Sequence, residues 1–286
     1  MIRNDFACII QTHKRADNIL TDSSLRRAGY TGRIIYLVDD QDPQLERYKQ
    51  KFGDDVVVFS KAKYDHKIDL ADNNRKDRST ITFPRNACFD VARRLGLTYH
   101  MQLDDDYQYF GYRFDALGEY IPSEPTVNSL DLIFEAMMSF MDATPTHCIA
   151  LSQGGDFIGG KNSNTVGLRL KRKAMNSQLV RTDRRFWFRG RMNEDVNTYV
   201  SLGRIGLLFF TFVPCSLNQR ATQSQGGGLT DMYLNYGTYR KSFTSVMYSP
   251  SCVKVSMMGD KHQRLHHRIS WDKAVPKILP ERFRKA

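Results

Sequence analysis

"PRNACFDVARRLGLTYHMQLDDDY" (Pro84–Tyr107) holds a helix, a strand and an acidic turn in two dozen residues. Pro84, Cys88, Val91, Ala92 and Leu95 recur at helical spacing, with Pro84 at a first-turn position where a missing N–H does no harm. "TYHMQL" then reads as a buried strand, closed by Asp104, Asp105 and Asp106 and followed at once by the aromatic cluster "YQYF". Three adjacent carboxylates repel one another unless a cation sits among them. A hard divalent ion, Mg²⁺ or Mn²⁺, suits oxygen ligands. Strand alternation puts Asp104 and Asp106 on one side and Asp105 on the other. No D-x-D-x-D-G spacing follows, so a calcium loop is disfavoured. For the DDD triplet alone a solvated acidic turn is the plainer account, and its surroundings must decide.

Outward from this stretch, the first half alternates strands and helices. "FACIIQT" (Phe6–Thr12) reads as a strand, followed by a helix through "ADNILTDSSLRRAG" that stops at Gly29. "RIIYLVDD" (Arg33–Asp40) and "DVVVFS" read as strands around a helix in "PQLERYKQKFG". Such alternation predicts a mainly parallel sheet with right-handed crossovers. Ligands of these sheets bind outside the carboxyl ends of the strands. Thr12, Asp39, Asp40 and the triplet Asp104–Asp106 all fall at that rim.

The second half is less regular and more basic. "SLDLIFEAMMSFMDA" (Ser129–Ala143) is an amphipathic helix, and "THCIALSQ" and "IGLLFFTFVPC" have the length of core strands. Nine Lys/Arg lie between Arg169 and Arg191 against Asp183 alone, and the stretch from Lys254 is basic too. The 286-residue chain carries a net charge of +11, and its pI is near 9.4. A folded domain this basic suits a polyanionic partner, nucleic acid foremost. No apolar run is long enough to span a membrane, and no basic helix with a bulky apolar face points to a membrane surface. The N-terminus reads as a first strand rather than a signal peptide. Five scattered cysteines, never in CxxC spacing, fit reduced thiols of a cytoplasmic protein. With no linker or repeat, the expectation is one domain over residues 1–286, a nucleotide-sugar half (1–110) followed by an acceptor half (111–286).

The helix–strand–DDD stretch resembles the segment before the metal-binding Asp-x-Asp motif of GT-A glycosyltransferases, with Arg85, Asn86, Ala92, Asp104 and Asp106 at the matching positions. The resemblance implies a Rossmann-like GT-A fold, mainly parallel and flanked by helices, and a metal-dependent enzyme using a UDP-sugar. Thr12, Arg15, Asp39 and Asp40 would surround the nucleotide, with Arg85 reaching toward it. Asp104 and Asp106 would hold ribose and metal, with Asp105 beside them. In "RGRMNEDVN" (Arg189–Asn197), an Glu-Asp pair opening a helix matches the place of the family's catalytic base, so Glu194 or Asp195 would fill that role. The plainer account is a helix N-terminus complemented by acidic side chains. In "HQRLHHRISW", His266 or His267 would complete the metal shell; taken singly, each histidine reads as a surface or packing residue.

More narrowly, "QTHKR", "FPRNACFDVA", "LDDDYQYF", "RGRMNEDVNTYV" and "HHRISWDKAVPKIL" resemble the TET-associated glycosyltransferases, whose phage members decorate hydroxymethylated pyrimidines in DNA. The implied acceptor is 5-hydroxymethylcytosine in phage DNA, which would place the enzyme in the host cytoplasm. "WFR" (Trp187–Arg189), "QGGDFIGGKNSN" and "TQSQGGGLTD" would lie on the acceptor side. Three rival readings stand beside this one: a GT-A enzyme with a glycan, lipid or protein acceptor, a nucleotidyltransferase, and a non-catalytic DNA-binding module. The nucleotidyltransferase usually has a glycine-rich phosphate loop after the first strand, and "QTHKRADN" has no glycine.

Overall fold

The computed structural model describes residues 2–70, 78–162, 172–219, 237, 239–258 and 264–276. The glycine-rich stretch 222–231, Arg169 and Lys171 of the basic tract, and the last ten residues lie outside the described residues.

Eight strands form one sheet: β1 (Phe6–Gln11), β2 (Arg33–Asp39), β3 (Val56–Phe59), β4 (Tyr99–Asp104), β5 (Tyr107–Tyr112), β6 (Thr146–Gln153), β7 (Gln178–Arg181) and β8 (Leu208–Gln219). Their spatial order is β3-β2-β1-β4-β7-β6-β8-β5. β1, β2, β3 and β4 pair in parallel. β7 runs against both β4 and β6, so β6 points the same way as β4, and β8 lies parallel to β6. Strand ends from both halves of the chain therefore meet on one rim. Only β7 and β5 run the other way.

β1 is buried at every position, as in a sheet covered on both faces. Alternation divides it. Phe6, Cys8 and Ile10 pack with Tyr30, Leu103 and Phe134 under α1 (Thr21–Arg27) and α4 (Leu130–Ala143). Ala7 and Ile9 pack with Leu37, Phe83 and Val91 under α3 (Thr82–Arg94). α2 (Leu45–Phe52) follows β2, while α5 (Glu194–Gly203) and α6 (Arg240–Tyr248) serve the second half. A separate antiparallel ribbon, β9 (Val253–Met258) and β10 (Arg264–Ile269), completes the described chain. Among the described residues no helix is long and apolar enough to cross a membrane.

Two local readings change. α1 begins at Thr21, not near Ala16, because the N–H groups of Leu20 and Thr21 are drawn to the Asp105 carbonyl at 2.9 and 3.4 Å. The aromatic cluster after the acidic triplet is itself strand β5, which leaves β4 to pair with β8 at the far edge.

Candidate active site

The acidic triplet is held by its backbone. The Thr21 hydroxyl donates to the Asp104 carbonyl at 2.6 Å and accepts the Tyr107 N–H at 3.0 Å. Ser24 donates to the carbonyls of Tyr107 and Gln108 at 2.9 and 2.7 Å. The first turn of α1 thus clamps the β4–β5 turn and leaves its carboxylates to act as side chains.

Those side chains divide as alternation suggested. Asp105 is buried and accepts from Thr12 Oγ1 at 2.7 Å and Arg15 Nη1 at 2.6 Å. Tyr48 ties the same knot, its hydroxyl 2.9 Å from Thr12 Oγ1 and accepting the Arg15 N–H at 2.8 Å. Thr12, Arg15 and Asp105 engage one another, and in doing so lock the end of β1 to the end of β4. Asp104 is partly exposed, 3.4 Å from Arg85 Nη2. Burial pushes its pKa up to about 7, Arg85 opposes the rise, and Asp106, Asp105 and Asp195 reinforce it. The three carboxylates of the turn therefore outnumber its two close guanidiniums among the described residues, Arg15 and Arg85.

Arg85 is the hinge of the site. It is only 1% exposed, and its fork has a partner on every nitrogen. Nε donates to Glu194 Oε1 at 3.0 Å, Nη1 to the Asn176 carbonyl at 3.0 Å and to Gln178 Oε1, and Nη2 faces Asp104. One side chain from α3 thereby joins the acidic turn after β4 to the Glu-Asp pair that opens α5. Its neighbour Asn86 does the structural half of the work. Asn86 accepts the Phe188 N–H at 2.9 Å and donates to the Phe188 carbonyl at 3.2 Å. Thr80 Oγ1 donates to the Arg191 carbonyl at 2.8 Å, so the chain leading into α5 is laced to the start of α3.

Glu194 and Asp195 are both buried. Burial and the adjacent Asp195 push the Glu194 carboxyl up to about 7 against the pull of Arg85. Burial also raises Asp195, again against Arg85. The two differ in what holds them: Glu194 is tied to Arg85, whereas among the described residues Asp195 accepts only the adjacent Val196 N–H, through Oδ1 at 2.7 Å. The residue before them, Asn193, has φ 52 and ψ 37, a left-handed conformation asparagine tolerates. Its amide donates to the Lys241 carbonyl at 3.0 Å and to Ser245 Oγ at 3.1 Å, and lies 3.2 Å from His267 Nδ1.

His267 therefore stands at the start of α5. Burial, with His266, Lys241 and Lys173 nearby, lowers its pKa to about 4. The described residues do not gather His266 or His267 with the acidic turn into a group of three metal-ligating side chains.

A cavity of about 380 Å³ opens at the ends of β1 and β2, lined by His13, Lys14, Asp39, Gln41, Pro43, Lys61, Arg78 and Ser79. Asp39 pairs with Lys61 at 2.8 Å. Its Oδ1 is buried with no hydrogen-bond partner among the described residues. Asp40 is exposed in the turn beyond and does not line the cavity. Sequence reasoning missed Thr21, Tyr48, Lys61, Gln178 and Asn193, since each acts through a partner far along the chain.

The described site is thus an α/β sheet with an acidic turn on its rim, a polar cavity at the ends of β1 and β2 and a buried carboxylate pair joined to the turn through Arg85, an arrangement suited to a group-transfer enzyme. The family model of TET-associated glycosyltransferases matches residues 6–228, and the chain belongs to that family: it is a glycosyltransferase. Among solved structures it is similar to glucosyl-3-phosphoglycerate synthase from Mycobacterium tuberculosis in complex with Mg²⁺ and UDP, at 8% identity and a TM-score of 0.47, covering 92% of this chain and 87% of that one. It is also similar to a mannosyltransferase from Pyrobaculum calidifontis in complex with GDP-Man and Mn²⁺, at 10% identity and a TM-score of 0.44, covering 86% of this chain and 74% of that one. No curated protein matches the chain.

Proposed function

We propose that this glycosyltransferase moves a sugar from a UDP-sugar to the hydroxymethyl group of 5-hydroxymethylcytosine in phage DNA. The observation that carries the reading is the Arg85 bridge, which sets the acidic turn and the Glu194–Asp195 pair around one guanidinium. A donor site and an acceptor-activating site must lie this near each other if one sugar is to pass between them. The family gives the reaction class, and the net charge of +11 suits a phosphate backbone. Five free, buried cysteines fit a reducing cytoplasm.

The rim's donor set fits a hard divalent cation. Asp104 and Asp106 supply carboxylate oxygens on the turn, with burial and like charge already disfavouring ionisation of Asp104, whereas Asp105 is committed to Thr12 and Arg15. When bound there, Mg²⁺ or Mn²⁺ offsets the charge developing on the departing diphosphate. Mg²⁺ commonly retains waters and substrate phosphates in its shell, so a third side-chain ligand is not required. The cavity at β1 and β2 takes the nucleoside, with Asp39 Oδ1 accepting a donor N–H from the base or a ribose hydroxyl. Asp195 removes the acceptor's hydroxyl proton, while Glu194 holds Arg85 and fixes the helix that presents it.

Replacing Asp39 with Asn is expected to weaken UDP binding by about 10- to 100-fold, the worth of a hydrogen bond to a charged group. Titration calorimetry with UDP and Mn²⁺ reads this, and an unchanged affinity would remove the nucleoside from that cavity. The acceptor is tested by incubating the enzyme with UDP-sugars, Mn²⁺ and duplexes carrying either cytosine or 5-hydroxymethylcytosine. The expected product is a glycosylated nucleoside from the modified duplex alone, absent after chelation of the metal. Transfer confined to a glycan, lipid or protein acceptor would sink the DNA reading.

A further inference from the structure

The β9–β10 ribbon stands apart from the main sheet, and its two faces differ in chemistry. An isolated two-stranded ribbon is marginal in water, so one face has to be supported. Val253 is buried with Cys252 and Phe209, and Ile269 packs against the same cluster. The Trp271 ring, just beyond the ribbon, stacks on Tyr199 of α5 at 6.0 Å.

The other face is exposed and basic. Register sets Lys254 directly opposite Arg268, and Ser256 opposite His266. Lys254 and Arg268 are both exposed, and no carboxylate among the described residues pairs with either. Like charges directly across an antiparallel pair destabilise it. The sequence around them offers little relief, for residues 237–276 hold seven Lys/Arg and two Asp. A ligand that brings several anionic groups at regular spacing resolves the repulsion.

Position sets the ribbon beside the candidate active site. His267, next to Arg268 on β10 but alternating to the opposite, supported face, lies 3.2 Å from the amide of Asn193, which directly precedes Glu194 and Asp195. A two-stranded ribbon is one of the few elements that a B-DNA major groove admits, and that groove is where substituents at pyrimidine C5 project.

We propose that the β9–β10 ribbon is the enzyme's DNA-docking element, with Lys254 and Arg268 on phosphates flanking the groove from which the acceptor hydroxymethyl group is presented to the carboxylate pair. The inference rests on DNA being the acceptor. It goes beyond that reading in naming the element that docks the duplex and the two cations that do so.

The test measures binding to a short duplex carrying 5-hydroxymethylcytosine across a salt series, for the wild type, Lys254→Ala/Arg268→Ala and Lys254→Arg/Arg268→Lys. Loss of two phosphate contacts should cut the slope of log K against log salt by about 2 and weaken binding about tenfold or more near physiological salt. The charge-conserving pair should keep the wild-type slope. Thermal melting of each variant reports on folding. An alanine pair that melts normally and retains the full slope, while the wild type binds and glycosylates the duplex, overturns the ribbon's role and leaves the acceptor reading standing. A wild type that neither binds nor modifies the duplex overturns both. If the alanine pair loses binding to phosphatidylserine vesicles but keeps its DNA slope, the face serves a membrane and the proposal fails.

Discussion

Arg85→Ala is expected to melt about 6–20 °C below the wild type and to lose transfer activity by about 100-fold or more. The argument starts from burial. Arg85 is 1% exposed, and its removal strands Glu194, the Gln178 amide oxygen and the Asn176 carbonyl in a dry interior. Taking one partner from a buried ion pair costs about 3–5 kcal/mol, because the other charge stays behind. In a chain of this size each kcal/mol moves the midpoint by about 2–4 °C. The same loss frees the acidic turn and the Glu194–Asp195 pair from their common anchor, and a misplacement of about 1 Å caused by a change away from the chemistry can cost about 100-fold in rate. Arg85→Lys should rescue little, since an ammonium cannot reproduce a planar fork with partners on all three nitrogens. The checks are calorimetric melting and sugar transfer under saturating donor. A lysine variant with wild-type melting and wild-type rate would show that the fork does not couple the two halves of the site.

The contrast between Arg85 and its neighbour Asn86 shows how far the sequence could be read. The strands of the first half were legible because each, such as Phe6–Gln11 or Arg33–Asp39, carries a continuous apolar run (Phe6–Ile10, Ile34–Val38) with polar residues at its ends. That pattern also put Thr12, Asp39 and the acidic triplet on one rim, since parallel strands share their carboxyl ends. Periodicity reports which face a residue occupies, not whom it meets. Arg85 and Glu194 are 109 positions apart, and nothing local in either motif says that they form an ion pair. Asn86 seemed part of the same chemical motif, yet both ends of its amide hold the Phe188 backbone.

The same limit explains the rest. Thr12, Arg15 and Asp105 sat at the right edge for a nucleotide, but a carboxylate buried beside an arginine and a hydroxyl is satisfied by them, as a buried charge must be. The strand character of "YQYFGY" was masked because its partner β8 begins about a hundred residues later. β7 is four residues long, too short to announce itself between polar flanks. The His267 contact with Asn193 depends on a left-handed turn that no spacing rule marks.

Asp195→Asn is expected to reduce transfer by about 10²–10⁴, the usual contribution of a positioned general base, while UDP binding stays within about twofold because the cavity proposed for the nucleoside lies at β1 and β2. The choice of Asp195 over Glu194 rests on what each already does: Glu194 is tied to Arg85, and Asp195 accepts, among the described residues, only the N–H of the adjacent Val196. A base with a pKa near the working pH transfers protons well, and burial raises both members of this pair. The transfer rate should therefore rise with pH as Asp195, raised above the ordinary aspartate range by burial, loses its proton. Stability should move the opposite way in the metal-free protein. A carboxyl whose folded pKa lies above its unfolded value binds an extra proton in the folded state between the two. For Glu194, raised from 4.5 to about 7, this contribution makes stability fall as the pH climbs through that window, and Glu194→Gln should flatten the decline. Single-turnover rates and melting midpoints measured from pH 5 to 8 read both limbs. If Asp195→Asn keeps its rate within tenfold while Glu194→Gln abolishes it, the two carboxylates exchange roles and Arg85 becomes the partner of the base itself.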